Sequence, residues 1–234
     1  MLNFKAGQYL ILKINDQARL YSIFSPENIK DFFELMVKII PGGLASNYFI
    51  SLKTGDKVNF QGPAGVFSLR ENQKDKFFFA TFAGIAPLRS MVASYLEKNK
   101  MLTRPKLILF WGLRNFSDIC LLEELKQLVK TSQQFQFFIC LSREADLSKI
   151  KSEDKKYFKL GRINICWEQF ITATIKQGNN VTPLRPSGYE GQAMKQFINN
   201  FDYYLCGSCD VTESLKQYFF SKGVDKETVF FEKF

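Results

Sequence analysis

The run Phe77-Phe78-Phe79-Ala80-Thr81 constrains the fold more than any other stretch of this chain. It shows no polar alternation, so a strand built from it has no wet face and must be covered on both sides. That is the condition of a parallel sheet flanked by helices. The residues downstream have the matching grammar. Pro87–Glu97 reads as a helix, Lys106–Trp111 as a strand, and Asp118–Lys130 as a helix with Ile119, Leu122, Leu125 and Val129 on one face. Phe135–Leu141 and Asp202–Cys206 read as strands, Val211–Ser221 as a helix, and Thr228–Phe231 as a last strand. Alternation of this kind implies right-handed crossovers within one parallel sheet. Residues 176–200, polar and bearing Gly, Asn and Pro, are a long excursion with no structure assigned.

Upstream the pattern differs. Residues 1–69 are β-rich, with strand-like runs at Gln8–Ile14, Arg19–Phe24, Phe32–Ile40, Lys57–Gln61 and Val66–Leu69. Turn formers separate them: Ser25-Pro26-Glu27-Asn28, Pro41-Gly42-Gly43, Thr54-Gly55-Asp56 and Gly62-Pro63-Ala64-Gly65. The polar segment 71–76 reads as a linker, so two domains are expected, at 1–70 and 76–234.

Several function classes drop out. The chain contains no histidine, which removes His-based triads, general bases and metal ligands. No window reaches the roughly 18 consecutive apolar residues of a membrane span, and no secretion signal opens the chain. Five cysteines at irregular spacing argue for reduced thiols in a cytoplasm. The formal charge is +9, from 32 basic and 23 acidic residues, but the lysines are scattered, which argues against nucleic acid. Two readings of that charge stand: a solvated surface, or a basic face for acidic electron-carrier proteins and phosphate-bearing ligands.

The chemistry-bearing residues come in a definite order. In Arg19-Leu20-Tyr21-Ser22 a strand projects Arg19 and Tyr21 from one face and Ser22 from the other. An aromatic, a hydroxyl and a guanidinium suit a planar redox cofactor with a phosphate tail. Gly43-Leu44-Ala45-Ser46 stands where a short helix begins, as a plain N-cap or as a backbone cradle for an anion. Thr81-Phe82-Ala83-Gly84-Ile85-Ala86-Pro87 leads from a buried strand into a helix, and is either a helix start alone or a pyrophosphate site. Ser142-Arg143 follows a strand, as a surface arginine or a phosphate partner. Cys206-Gly207 sits at the carboxyl end of a strand, where open α/β sheets bind ligands. Cys206 and Cys209 form a C-x-x-C, but no second pair or histidine completes a zinc or iron–sulfur site, which leaves a dithiol role as the alternative. Cys120, Cys140 and Cys166 lie among apolar residues and read as core thiols.

Together with Gly7-Gln8-Tyr9-Leu10, Gly62-Pro63-Ala64-Gly65-Val66-Phe67, Trp111-Gly112-Leu113-Arg114 and the ending Glu232-Lys233-Phe234, this order closely resembles the ferredoxin–NADP reductase family of flavoproteins over essentially the whole chain. The resemblance implies an antiparallel flavin-binding β-barrel at 1–70, followed by a Rossmann-like α/β domain for NAD(P) at 76–234. In such proteins hydride passes from nicotinamide to flavin, and electrons leave singly for an acidic carrier, a ferredoxin or flavodoxin. By resemblance, Arg19 and the Gly43, Leu44, Ala45 and Ser46 segment hold the FAD pyrophosphate, Tyr21 stacks on the isoalloxazine and Ser22 lies near its N5. Thr81, Gly84, Ile85, Ala86 and Pro87 take the dinucleotide, and Cys206 with Gly207 lies beside the nicotinamide. Ser142 and Arg143 contact the 2′-phosphate, which favours NADP with NAD as the alternative. Phe234 covers the flavin face, and Glu232 orients nicotinamide or passes a proton, unless it is an ordinary strand-end carboxylate.

Two departures stand out. Phe82 and Ala83 occupy positions where the family has Gly and Thr, which predicts an obstruction to close backbone approach and the loss of a donor. The family's strand hairpin before Gly-Gln-Tyr has no counterpart in the six residues ahead of Gly7, which predicts a barrel short of strands with an open edge. Two rival readings follow: a noncatalytic binding or assembly module, and the reductase component of a larger oxygenase or complex.

Overall fold

The structure is a computed structural model that describes residues 3–100, 102–178 and 189–233. The chain divides into two compact units, 1–71 with 83–99, and 72–82 with 100–234.

In the first unit, β1 (Tyr9–Ile14), β2 (Gln17–Ser22) and β3 (Phe60–Ala64) form an antiparallel sheet in the order β2-β1-β3. A two-residue hairpin joins β1 to β2, and Asn15 and Asp16 both take positive φ (46° and 60°), as a turn matching the strand twist requires. Leu10, Leu12 and Ile14 point from alternate positions into a buried cluster. The short helix α1 (Leu44–Ser51) covers it with Leu44, Ala45, Tyr48 and Phe49. Among the described residues the sheet is barrel-like but unclosed. The expected strand at Phe32–Ile40 reduces to one bridge, Ile23 to Leu35. Val66–Leu69 is irregular.

Helix α2 (Ile85–Lys98) groups with this unit. Its side chains hold the segment after β2: Ser90 donates to Ser25 O at 2.7 Å, Arg89 to Phe24 O at 3.1 Å, and Ser94 accepts from Glu27 N–H at 2.9 Å. Lys98 pairs with Glu27, which also accepts the Ala6 N–H.

The second unit is a six-stranded, wholly parallel sheet in the order β7-β6-β5-β4-β8-β9. Its strands are β4 (Asp75–Thr81), β5 (Leu107–Leu113), β6 (Phe135–Leu141), β7 (Phe158–Leu160), β8 (Phe201–Gly207) and β9 (Val229–Lys233), with helices α3 (Leu122–Thr131), α4 (Ile163–Gly178), α5 (Tyr189–Ile198) and α6 (Cys209–Ser221). Phe77, Phe78 and Phe79 are wholly buried, as their unbroken apolar run demands. Phe77 stacks on Phe201 at 4.1 Å between centroids, Phe78 on Tyr204 at 5.3 Å, and Phe79 on Phe110 at 5.5 Å. Such aromatic pairs each add about 0.5–1.5 kcal/mol beyond area burial.

At the amino end of the sheet Lys76 is fully buried. Its ammonium donates to Lys74 O at 2.6 Å and Asn72 Oδ1 at 2.9 Å, and lies 3.9 Å from Asp202, whose carboxylate also accepts from Asn72. Burial pushes the Lys76 ammonium below its ordinary value, and the Asp202 charge opposes that shift.

Two sequence expectations are corrected here. The helix expected from Asp118 starts at Leu122, because Asn115 and Asp118 cap a separate 3-10 turn at Phe116–Asp118. Cys120 lies in the link between that turn and α3 and is exposed, so it is not a core thiol. Cys140 and Cys166 are buried.

Candidate functional site

The first unit gathers Arg19, Tyr21 and the start of α1 on one face of its sheet. Arg19 pairs with Leu12 and Tyr21 with Leu10 across the β1–β2 ladder, so both share the face that α1 covers. The Tyr21 ring meets Phe49 of α1 edge-on at 5.0 Å. Burial raises the Tyr21 phenol and the Arg19 charge opposes it, so the hydroxyl is neutral at physiological pH. The Arg19 guanidinium donates to Ala18 O at 2.9 Å and Gln17 Oε1 at 2.5 Å. Ser22, on the opposite face, is buried.

Gly43 is the N-cap residue of α1, and no side chain caps the helix. The first intrahelical donor is Asn47, whose N–H reaches Gly43 O at 2.9 Å. The N–H groups of Leu44, Ala45 and Ser46 therefore belong to the first turn, where a helix has no carbonyl of its own to offer. Ser46 does not cap them. Its hydroxyl oxygen accepts the Ile40 N–H at 2.8 Å and fixes the approach turn instead. Bare glycines before an uncapped helix start fit a pyrophosphate.

In the second unit the sheet order sets the site. From β4 the chain steps outward through β5, β6 and β7, then returns to lay β8 and β9 on the other flank of β4. The direction reverses between β4 and β8, and open α/β sheets bind ligands at the carboxyl ends of strands flanking such a reversal. Thr81 ends β4 there. A Cβ on Gly207 of β8 would stand 2.1 Å from Thr81 Oγ1, and one on Gly112 of β5 would stand 3.5 Å from Thr81 Cγ2. Thr81 therefore spreads across both neighbouring strand ends, and only glycine fits at 207. The space a side chain would take at each glycine is filled from within the protein, by Thr81 at Gly207 and by Ile163, 2.5 Å from the Cβ position, at Gly112. Cys206 pairs with Ala80 on one side and Glu232 on the other. Its thiol is pushed well above the ordinary range by burial and then by the Glu232 charge, so it is a neutral S–H.

Phe82 follows at φ +46°, in the left-handed region. Its carbonyl accepts from Trp111 Nε1 at 3.0 Å, which pins the turn, and the Arg114 guanidinium lies 5.5 Å from its ring centre. Gly84 is the N-cap of α2, with Ile85, Ala86 and Pro87 buried in the first turn.

Ser142 and Arg143 lie beyond β6. Ser142 Oγ donates to Leu113 O at 3.2 Å, and the Arg143 N–H donates to Arg114 O at 3.0 Å. The loops after β5 and β6 thus run side by side with Arg114 and Arg143 together. Sequence reasoning assigned Arg114 and Trp111 no role. The signal was present, since Arg114 is a cation directly beyond a strand end, as Arg143 is. Phe234 lies outside the described residues.

A three-stranded antiparallel layer and a wholly parallel sheet with a glycine-lined reversal are the two halves of a flavin- and dinucleotide-binding oxidoreductase. Residues 1–69 match the oxidoreductase FAD-binding domain family, and residues 78–158 the oxidoreductase NAD-binding domain family. The chain thus joins an oxidoreductase FAD-binding domain to an oxidoreductase NAD-binding domain. It is 27% identical over 236 residues to the toluate 1,2-dioxygenase electron transfer component of Pseudomonas putida, covering 100% of this chain and 59% of the relative. It is 28% identical to one component of the Na(+)-translocating NADH-quinone reductase of Methylococcus capsulatus, covering 92% of this chain and 49% of that one. Among solved structures, an Amycolatopsis cytochrome P450 reductase aligns with a TM-score of 0.78 at 22% identity, over 100% of this chain and 62% of its own. A ferredoxin-NADP+ reductase from Plasmodium falciparum aligns with a TM-score of 0.70 at 18% identity, over 99% of this chain and 84% of its own. These structures share the fold. The chain spans about half the length of the two curated relatives.

Proposed function

We propose that this chain passes electrons from NAD(P)H through FAD to a one-electron carrier protein, as the reductase part of a larger oxygenase or quinone-reductase assembly. The observation that supports the reading is the sheet reversal between β4 and β8, with Thr81, Cys206 and Gly207 at the carboxyl ends of the strands that flank it. Bound FAD would supply the change from a two-electron donor to single-electron delivery. The chain's own residues do the rest. The uncapped start of α1 and Arg19 hold the pyrophosphate, Tyr21 orients the ring system, and Ser22 lies at its edge. Gly84 to Pro87 carry the dinucleotide from the turn that Trp111 pins. Cys206, neutral and buried, packs beside the nicotinamide, and Glu232, paired with it across the ladder, orients the nicotinamide or passes a proton. Arg143 and Arg114 select a 2′-phosphate, which favours NADPH over NADH.

The relatives named as electron transfer and NADH-quinone reductase components support the reductase-part reading. A formal charge of +9 suits an acidic ferredoxin or flavodoxin, and five free cysteines suit a cytoplasm. Among the described residues no helix is long and apolar enough to cross a membrane. One observation favours the noncatalytic alternative: Phe82, a bulky residue held at positive φ where the dinucleotide would approach. The test is the visible spectrum of the purified chain loaded with FAD. Flavin bands that bleach anaerobically with NADPH or NADH establish the reading. Bands that bleach with dithionite and with neither nucleotide establish the noncatalytic module.

A further inference from the structure

Helix α2 carries a polar stripe. Ser90 is wholly buried and Ser94 is buried, and with Lys98 they recur at i, i+4 and i+8, the spacing of one helix face. A packed face ordinarily takes apolar side chains, because each buried hydroxyl must find a partner. A serine inside a helix commonly returns its proton to a carbonyl of its own preceding turn. This stripe reaches across instead to one short segment, residues 24–27. Ser90 Oγ donates to Ser25 O at 2.7 Å, and Ser94 Oγ accepts the Glu27 N–H at 2.9 Å. Lys98 pairs with the Glu27 carboxylate. Beside the stripe, Arg89 donates to Phe24 O at 3.1 Å, and its guanidinium lies 4.5 Å from the Phe24 ring centre.

The same segment is held by residue 34 as well. The Phe24 N–H donates to Glu34 O at 2.8 Å, and the wholly buried Ser25 accepts the Glu34 N–H on its hydroxyl at 3.0 Å. One residue back, the Ile23 N–H donates to Gln8 O at 2.9 Å. With both neighbours of the peptide fixed in this way, a shift of Arg89 and Ser90 is passed to the end of β2.

On the functional reading above, which puts the dinucleotide at Gly84 to Pro87 and Ser22 at the flavin edge, we propose that Arg89 and Ser90 are positioning residues that tie those two places together. Ser90 follows the N-cap Gly84 by about 9 Å along a helix that rises about 1.5 Å per residue. The helix carries that distance as one rigid element. At the far end, Ser22 precedes Phe24 and Ser25 by a few residues of extended chain. Two donors on consecutive helix residues grip two consecutive carbonyls, so they fix both the height and the rotation of the α2 start relative to Ser22. The whole linkage lies within the first unit, which takes in 1–71 and 83–99. Transfer between bound groups needs reacting atoms about 3–3.5 Å apart and aligned. Loss of the tie therefore slows reduction of the flavin and leaves in place every residue assigned to touch either cofactor.

The experiment compares the unaltered chain with Ser90→Ala and Ser94→Ala, each loaded with FAD and mixed anaerobically with NADPH or NADH in a stopped-flow spectrometer. Ser90→Ala should lower the rate of bleaching at saturating nucleotide by roughly ten- to a hundredfold, with the half-saturating nucleotide concentration and the FAD affinity unchanged. Ser94→Ala deletes a hydroxyl from the same stripe one turn further from Gly84 and should keep the unaltered rate. A second readout needs no flavin. In the FAD-free chain, the oxidised form of the nucleotide that bleaches should slow hydrogen exchange in the peptide spanning residues 22–35, and in Ser90→Ala it should not. Equal bleaching rates in the unaltered and Ser90→Ala chains overturn the proposal. Equal slowing in Ser90→Ala and Ser94→Ala also overturns it, since that marks a general loosening of the helix. Should Ser90→Ala fail to fold, exchange in the unaltered chain decides, and a peptide indifferent to nucleotide overturns the tie. An unaltered chain that neither nucleotide bleaches overturns the functional reading and the proposal together, whereas one that bleaches beside an equally fast Ser90→Ala overturns the proposal alone.

Discussion

Phe82 offers a direct measurement of how much the dinucleotide turn costs this chain. A side chain at φ +46° costs about 1–2 kcal/mol relative to the ordinary backbone regions, and glycine is free of that cost. Phe82→Ala removes the ring and keeps the strain, whereas Phe82→Gly removes both. Losses common to the two variants cancel in the comparison. Those are the packing of the ring and its contact with Arg114, about 0.5–1 kcal/mol at a partly exposed site. The bond from Trp111 Nε1 to the Phe82 carbonyl survives in both, since it uses backbone. Glycine's looser unfolded chain returns about 0.4–1 kcal/mol of the advantage. The glycine variant should therefore be the more stable by about 0.5–1 kcal/mol, or roughly 2–4 °C per kcal/mol in Tm for a chain of this size.

The assay is urea and thermal unfolding followed by tryptophan fluorescence. Both tryptophans, Trp111 and Trp167, belong to the second unit and report on it directly. An alanine variant as stable as the glycine one would refute the left-handed assignment. The same pair separates the two ways in which Phe82 can hinder nucleotide binding. If the ring is in the way, both variants lower the Michaelis constant for the dinucleotide. If the constrained backbone is, only glycine does, with turnover unchanged.

Gly207→Ala should cost about 1–3 kcal/mol by overpacking, because its Cβ would stand 2.1 Å from Thr81 Oγ1. Adding Thr81→Ala should recover much of that loss, and additive losses in Tm would show that the two residues do not touch. Tyr21→Ala should weaken FAD retention by about 0.5–1.5 kcal/mol and Arg19→Ala by about 1.5–3 kcal/mol, read by flavin fluorescence titration; unchanged affinity in both would remove them from the site. Lys222 and then Tyr218 donate to Glu168 and hold its carboxyl below the ordinary range. A lowered folded value means that the contribution is complete above the ordinary Glu value of about 4.3 and fades as pH falls through the folded one. Glu168→Gln should therefore flatten the acid limb of a Tm-against-pH curve, and an unchanged limb would exclude this bridge.

Legibility in the sequence followed how local each cause was. Phe135–Leu141 is a strand with the bounds its residues suggest, because an unbroken apolar run is its own instruction. Helix α4 went unassigned although Ile163, Cys166, Trp167, Phe170 and Ile171 recur at helical spacing and pack in one cluster. That signal was legible, and the turn before it at Gly161, φ +116°, marked its start. Phe32–Ile40 has the composition of a strand but finds a ladder partner only at Leu35, and strand propensity cannot supply a partner. The site divides in the same way. That Phe82 departs from a glycine position is written in the sequence, as is the glycine after Cys206. That Gly207 must be glycine because of Thr81 depends on β8 lying beside β4 rather than beyond β7, which no residue of either strand encodes.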